Sequence, residues 1–236
     1  MVQNIVILTG AGVSAESGLG TFRDEGGLWS QYDLEEVATP KGFALDSAKV
    51  HAFYNARRLN CLMAAPNPAH FALTTLQRQF PGTVTLVTQN IDDLHERAGS
   101  TGVIHMHGTI TGAQCAACGH RWDAPRAMAA TDACPSCGKT ATRPDIVWFG
   151  EIPYHMPEID AALMQADLFV AIGTSGSVYP AAGFVAEARA CGVRTLELNL
   201  EPSETARTFD EGRYGPASKI VPDWVAEMLA GVSRPA

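Results

Sequence analysis

Four of the six cysteines fall in two pairs, Cys115-Ala-Ala-Cys118 and Cys134-Pro-Ser-Cys137, with fifteen residues between them. That spacing lies inside the C-x2-C-x15–20-C-x2-C window in which four thiolates enclose one zinc ion in a tetrahedron. It constrains the fold strongly, because one ion has to be reached from both pairs. A glycine follows each pair, at Gly119 and Gly138, where a tight turn lets backbone N–H groups approach the sulfurs. Two unconnected redox CxxC motifs are the alternative, disfavoured because neither pair opens a βαβ-type helix. Cys61 and Cys191 lie outside the pattern and read as small buried apolar residues.

The rest of the chain alternates strands with helices. Ile5-Val6-Ile7-Leu8 is a short β-branched run that enters Thr9-Gly10-Ala11-Gly12-Val13-Ser14-Ala15-Glu16, a buried parallel strand feeding a glycine turn and a helix. Strands of the same style are expected over 84–88, 102–106, 168–172 and 195–199, and helices over 68–79, 180–190 and 222–229. This order predicts an α/β protein with a doubly wound parallel sheet. Two segments break the rhythm: 26–66 is helical and polar, and 109–145 holds the cysteines and few apolar residues. They read as the helical and zinc-binding parts of a smaller domain, inserted twice into a larger one formed by 1–25, 67–108 and 146–236. The metal would compensate for the thin core of the small domain.

The formal charge of −8 and pI near 5.3 argue against broad attraction to nucleic acid or anionic lipid. No apolar stretch approaches the roughly 20 residues that span a bilayer. The first residues run straight into the apolar strand without a basic leader, so a cytoplasmic location is expected; the chain is also expected to be a monomer.

Gly10-Ala11-Gly12-Val13-Ser14-Ala15 matches G-x-G-x-x-G/A after a strand, a context suited to phosphate. The second strand ending in Asp or Glu about 20 residues on, usual in dinucleotide folds, is missing; Gly20-Thr21-Phe22-Arg23-Asp24-Glu25-Gly26-Gly27 stands there. Thr88-Gln89-Asn90-Ile91-Asp92-Asp93 crowds amides and carboxylates at a strand's C-terminal end, the edge where open α/β sheets bind ligands. Asp92 is equally readable as a helix cap. In Val103-Ile104-His105-Met106-His107-Gly108 the histidines have strand spacing, and His107, followed by glycine, is the better candidate general base. Gly173-Thr174-Ser175-Gly176-Ser177 offers a second phosphate or ribose loop, and Glu197-Leu198-Asn199-Leu200-Glu201 supplies polar groups for ribose hydroxyls. Either reads equally as ordinary loop chemistry.

Taken together, GAGVSAESGLGTFR (10–23), TQNIDDLHERAG (88–99), HMHG (105–108), the two CxxC pairs, RPDIVWFGE (143–151), GTSGSVYP (173–180) and ELNLE (197–201) resemble the sirtuin family of NAD-dependent protein-lysine deacylases, in its minimal bacterial form. The resemblance implies NAD and an acyl-lysine peptide meeting between a Rossmann-type domain and a small zinc domain. Gly10, Ala11, Gly12, Ser14, Ala15 and Glu16 would line the pyrophosphate and adenosine side, with Phe22 and Arg23 in the loop covering NAD. Gln89, Asn90, Ile91 and Asp92 would form the ribose and nicotinamide pocket, and His107 would be the base. Gly173, Thr174, Ser175, Asn199, Leu200, Glu201 and the Ala217 region would hold the adenosine half. Val147, Trp148, Phe149, Gly150 and Glu151 would pair with the substrate peptide and wall the acyl tunnel. Cys115, Cys118, Cys134 and Cys137 would hold a structural zinc. Two departures are visible: Thr21 stands where many members have a proline-flanked residue, and Asp145 where close relatives often have histidine. The implied products are nicotinamide, free lysine and O-acyl-ADP-ribose.

Within 53–58, Phe-Tyr-Asn-Ala-Arg-Arg, helical spacing puts Arg57 in the middle of an apolar stripe with Phe53, Tyr54 and Cys61, and no acid lies at i±3 or i±4. A tertiary salt bridge would satisfy it. The resemblance offers another reading: Tyr-x-x-Arg with the small Ala38 upstream looks like the sirtuin class whose wide pocket accepts succinyl- and malonyl-lysine. Plain deacetylation and protein ADP-ribosyl transfer remain alternatives. So do two rivals from other classes, a nicotinamide oxidoreductase and a non-catalytic zinc-ribbon binding module.

Overall fold

In the computed structural model residues 2–20 and 33–232 are described. Strand β1 (Asn4–Thr9) is followed by helices α1 (Leu34–Val37), α2 (Pro40–Leu45), α3 (Ser47–Met63) and α4 (Pro68–Gln79), then β2 (Thr83–Thr88), α5 (Leu94–Arg97) and β3 (Ile104–His105). A three-strand excursion comes next: β4 (Gly108–Cys115), β5 (Arg121–Asp123) and β6 (Thr142–Ile146). The chain closes with α6 (Met156–Met164), β7 (Leu168–Ile172), α7 (Phe184–Ala190), β8 (Arg194–Asn199), β9 (Glu211–Tyr214) and α8 (Ala217–Val232).

β1 is apolar on both faces because both are covered. Ile5 and Ile7 pack with Leu73 and Leu76 of α4 and Val221 and Trp224 of α8, whereas Val6 and Leu8 pack with Ile159 and Leu163 of α6 and Phe184 and Val185 of α7. The sheet order is β3-β2-β1-β7-β8-β9, parallel throughout. This is the doubly wound order that reverses direction beside the first strand, so β1 and β7 border the crevice where such sheets bind ligands. The expected α/β Rossmann-type sheet is therefore present.

The excursion forms an antiparallel sheet, β5-β4-β6, with a register shift between Gly108 and Ala113. None of its strands was legible: β4 reads Gly-Thr-Ile-Thr-Gly-Ala-Gln-Cys, too rich in glycine and polar residues to show a two-residue apolar period. Ile110 and Ile146 of this sheet pack with Val37, Val50, Phe53, Tyr54, Cys61 and Trp148 in a third core. Residues of α1, α3, β4 and β6 contribute to it.

Several boundaries differ from the sequence expectation. The strand expected over 102–106 pairs only at Ile104–His105. The helix expected at 222–229 begins at Ala217 and carries Pro222 inside it. A proline there removes one helical hydrogen bond, and burial of Val221, Trp224 and Val225 offsets the loss. α6 and the polar edge strand β9 were not foreseen. Cys61 is buried as expected, but Cys191 is exposed, because it caps the end of α7 rather than lining a core. Among the described residues no helix is long and apolar enough to cross a membrane.

Candidate functional site

The turn after β1 and the turn after β7 meet backbone to backbone. Gly10 N–H donates to the Ile172 carbonyl and Gly12 N–H to the Gly173 carbonyl, both at 2.9 Å. A Cβ at Gly12 would lie 2.8 Å from the Gly173 Cα, and one at Gly10 would lie 2.7 Å from the Gly173 oxygen. Side chains are thus excluded at both positions. The helix expected after the glycine turn is instead two 3-10 turns, Ala11–Val13 and Ala15–Ser17. Turns this short supply local N–H groups rather than a helix macrodipole.

Ser14 connects that turn to the loop after β2. Its Oγ donates to Asp92 Oδ2 at 3.1 Å and accepts from Asn90 Nδ2 at 3.2 Å. Asp92, the residue before the α5 N-cap Asp93, also takes the Leu94 N–H on Oδ1 at 3.1 Å, in keeping with the capping reading of the sequence. Burial pushes its pKa up, while the Leu94 N–H and Ser14 hydroxyl pull back. Behind Ser14 stands His70, 3.4 Å away through Nε2, with Nδ1 accepting from the Asn67 N–H at 3.2 Å in a capping box. The amide can only donate, so neutral His70 keeps its proton on Nε2, directed at Ser14. Burial lowers His70 to about 4. The ring of His95 lies 4.9 Å from it, also fully buried and held well below the ordinary value by the same cause. His95 Nε2 meets Thr9 Oγ1 at 3.0 Å, and its Nδ1 has no partner among the described residues.

His105 and His107 reach successive carbonyls of the same loop. His105 Nδ1 meets the Asn90 oxygen and His107 Nδ1 the Gln89 oxygen, each at 3.1 Å. A carbonyl only accepts, so both Nδ1 atoms carry hydrogen and the neutral His107 ring has its lone pair on Nε2. Among the described residues nothing bonds His107 Nε2. Burial lowers the His107 pKa, partly opposed by the Gln89 carbonyl. For His105 burial also works against charge, but Glu96, 2.7 Å from Nε2, and the Asn90 carbonyl outweigh it and the net shift is upward. The two histidines thus diverge: one is a tethered neutral base, the other is fixed to a carboxylate.

On the opposite wall the segment after β6 is fastened at several points. Val147 N–H donates to the His107 carbonyl at 2.9 Å and Phe149 N–H to the Ala38 carbonyl at 3.0 Å. Glu151 receives Arg143 Nη1 at 2.7 Å, Arg143 Nη2 at 2.8 Å and the Trp148 N–H at 2.8 Å. Gly150 and Phe149 are exposed at the tip. Buried Tyr54 accepts a hydrogen bond from Trp148 Nε1 at 2.9 Å, and burial raises its phenol to about 12. Arg57, half-buried on the same helix, has its pKa lowered by burial, while Cys61, Tyr54 and Asp92 favour its charge. The acid that helical spacing did not provide thus comes from the loop after β2.

At the positions expected to hold the adenosine half, Asn199 Nδ2 donates to the Thr174 carbonyl at 2.7 Å and its Oδ1 accepts the Leu200 N–H at 3.0 Å. Leu200 and Glu201 are exposed, and Ser175 stays beside Ser177 at the mouth of the β7 turn. Glu16 accepts from Ser218 N at 2.8 Å and Oγ at 2.7 Å, capping α8 just past Ala217. The Gly10–Ala15 turn, Gly173–Thr174, Asn199 and the start of α8 are therefore linked at one sheet edge. Phe22 and Arg23 lie outside the described residues. His70 and Arg143 were missed; the only hint of His70 was its place three residues after Asn67, an unusual capping box that lacks the expected Glu or Gln.

The four paired cysteines come together with all Sγ atoms within 4.8 Å of one another. Cys115 and Cys137 sulfurs are 3.7 Å apart, and those of Cys118 and Cys134 are 3.8 Å apart. Sulfurs bound at about 2.3 Å to a tetrahedral zinc stand about 3.8 Å from each other, whereas a disulfide needs about 2.05 Å. Gly119 and Gly138 take positive φ of 73° and 71°, and Ser136 N–H approaches Cys134 Sγ at 3.4 Å. The donor set fits one structural zinc with a closed shell.

The Sir2 family model matches residues 10–180. An NAD-dependent protein deacylase of Caulobacter vibrioides is 55% identical over 233 residues, covering 97% of this chain and 98% of that protein. A solved Sir2 homolog–NAD complex superposes with a TM-score of 0.89 at 36% identity, covering 98% of this chain and 91% of the other. A Sir2 protein bound to acetylated peptide superposes at 0.82 with 26% identity, over 98% and 95% of the two chains.

Proposed function

The chain belongs to the Sir2 family and is an NAD-dependent protein deacylase, and from that premise we propose that it removes acidic acyl groups, succinyl and malonyl, as well as acetyl, from protein lysine. In this reading 1–25, 67–108 and 146–236 form the NAD-binding domain, and 26–66 and 109–145 the helical and zinc-binding parts of the small one. NAD is the co-substrate and supplies the ribose to which the acyl group moves, giving nicotinamide, O-acyl-ADP-ribose and lysine.

His107 is the base. Its Nε2 lone pair, oriented by the Nδ1–H bond to Gln89, takes the proton of a ribose hydroxyl, and its depressed pKa keeps it deprotonated at neutral pH. Gln89, Asn90, Ile91 and Asp92 orient the nicotinamide ribose; the Ser14 hydroxyl fixes Asp92 for that task. Gly10, Ala11, Gly12 and Ala15 admit the diphosphate where the two turns touch, and Thr174, Ser175, Asn199, Leu200 and Glu201 hold the adenosine half. The peptide adds as a strand along Val147–Glu151, and Ala38, Tyr54, Arg57 and Trp148 enclose the acyl chain. Zinc takes no part in the reaction, since four thiolates leave it no open position.

The observation that carries the acyl preference is the juxtaposition of a phenol and a guanidinium on one wall otherwise made of Phe53, Val50 and Cys61. An acetyl group needs no cation there; a distal carboxylate does, and charge-assisted hydrogen bonds from Arg57 and Tyr54 would hold it. The test is a panel of acetyl-, succinyl- and malonyl-lysine peptides with NAD, following nicotinamide release, in the native enzyme and in Arg57→Met. Desuccinylation should fall far more than deacetylation. Equal losses would refute the acidic-acyl reading.

A further inference from the structure

Tyr54 and Trp148 are almost fully excluded from solvent, at 1% and 2% exposure, yet they share a side-chain hydrogen bond that joins the α3 wall to the segment after β6, Trp148 Nε1 to Tyr54 Oη at 2.9 Å. An indole nitrogen only donates. The phenol oxygen must therefore accept from it, and the phenol's own proton has to point elsewhere. A carboxylate only accepts, so a tyrosine held in this way is set to meet an anionic chain.

The indole is itself fixed from several sides. The Arg143 guanidinium stacks 3.5 Å from the centre of the Trp148 ring, and the Phe43 ring lies 5.2 Å from it on a tilt. The same Arg143 grips both oxygens of Glu151, and Nη2 also reaches the Ile146 carbonyl at 2.7 Å. Glu151 Oε2 in turn holds the Trp148 backbone N–H. Both ends of the residue are thus anchored to one partly buried ion pair.

We propose that Trp148 is a positioning residue for acyl specificity: its indole N–H occupies the acceptor side of the Tyr54 hydroxyl and so commits the phenol to donate to an acidic acyl chain. This rests on the acidic-acyl reading above and adds to it the residue that sets the direction of the Tyr54 donor.

The experiment measures kcat and KM for succinyl- and acetyl-lysine peptides in the native enzyme, Arg57→Met, Tyr54→Phe, Trp148→Phe and the Tyr54→Phe/Trp148→Phe double variant. In Trp148→Phe the succinyl-to-acetyl ratio of kcat/KM should fall about threefold to tenfold, the worth of one poorly directed hydrogen bond, and the loss should appear in the KM for succinyl-lysine. In the Tyr54→Phe background the same change should leave the ratio where Tyr54→Phe put it. A merely structural role would alter both substrates alike and in both backgrounds. If Arg57→Met is selective but Trp148→Phe keeps the native ratio, this proposal fails alone; if Arg57→Met is not selective, the acidic-acyl reading fails first. Should Trp148→Phe not fold, the double variant, which leaves no buried donor orphaned, still tests the proposal: a ratio below that of Tyr54→Phe would show Trp148 acting on specificity without the hydroxyl and overturns it.

Discussion

Lowering the pH from 7 to 5 should cost the folded state about 2 kcal/mol through His70 alone. In the fold, His70 titrates near 4 instead of its ordinary 6.5 because burial disfavours the charged ring. The sign follows directly: below 6.5 the unfolded chain takes up a proton that the folded chain refuses until about 4. Stability is therefore complete at neutral pH and is lost as the pH falls through that interval, reaching about 3 kcal/mol once both states are protonated. The structure adds a reason beyond burial. An imidazolium could no longer accept the Asn67 N–H, and it would face His95 with ring centres 4.9 Å apart. Urea unfolding between pH 7.5 and 5 should show the loss, and His70→Gln should flatten the slope. For a chain of this size the loss corresponds to roughly 4–8 °C in melting temperature. NMR of labelled histidine gives a direct check. A His70 resonance titrating near 6.5, or identical slopes in native and variant proteins, would refute the argument.

His107→Ala should lower deacylation by about 10²–10⁴-fold with little change in stability, since the described side chain makes a single hydrogen bond, to the Gln89 carbonyl; comparison of kcat and urea midpoint tests both halves. Zinc analysis should find one ion per chain, and Cys134→Ser, which removes one thiolate from the tetrahedron, should lose the metal and the β4–β6 sheet together. A zinc-free protein with native circular dichroism and melting would contradict it. Arg143→Met should destabilise by about 2 kcal/mol, less than a fully buried pair would lose because water can reach Glu151, since it leaves Glu151 without its paired cation and Trp148 without its stacked guanidinium; a urea midpoint within error of native would show that the clamp contributes nothing.

The major architecture could be read from local patterns. β1 and β7 are apolar runs and β2 is β-branched throughout but for Leu86, which marks them as buried parallel strands, whereas β8 shows only Leu196 and Leu198 between polar residues; the glycine turn after β1 announces the crevice. The small sheet could not be read, because β4–β6 are polar and short and are held by the cysteine cluster and by packing on α3 rather than by their own periodicity. In the site, positions within one motif were legible and partnerships between motifs were not. Nothing near Arg57 in the chain suggested Asp92 as its acidic neighbour, and nothing near Trp148 suggested Arg143 stacked on its ring.

The sequence by itself determined the zinc ligands, the glycine turn and the identities of the residues at the strand ends, because each depends on the spacing of neighbours along a few turns of chain. The tertiary structure alone decided which of those residues act together. Ser14 meets His70 across 56 residues and Asp92 across 78, and Trp148 meets Tyr54 across 94. Such contacts are fixed by how whole elements pack, and only that packing sets which nitrogen of His107 carries its proton and which way the Tyr54 hydroxyl points.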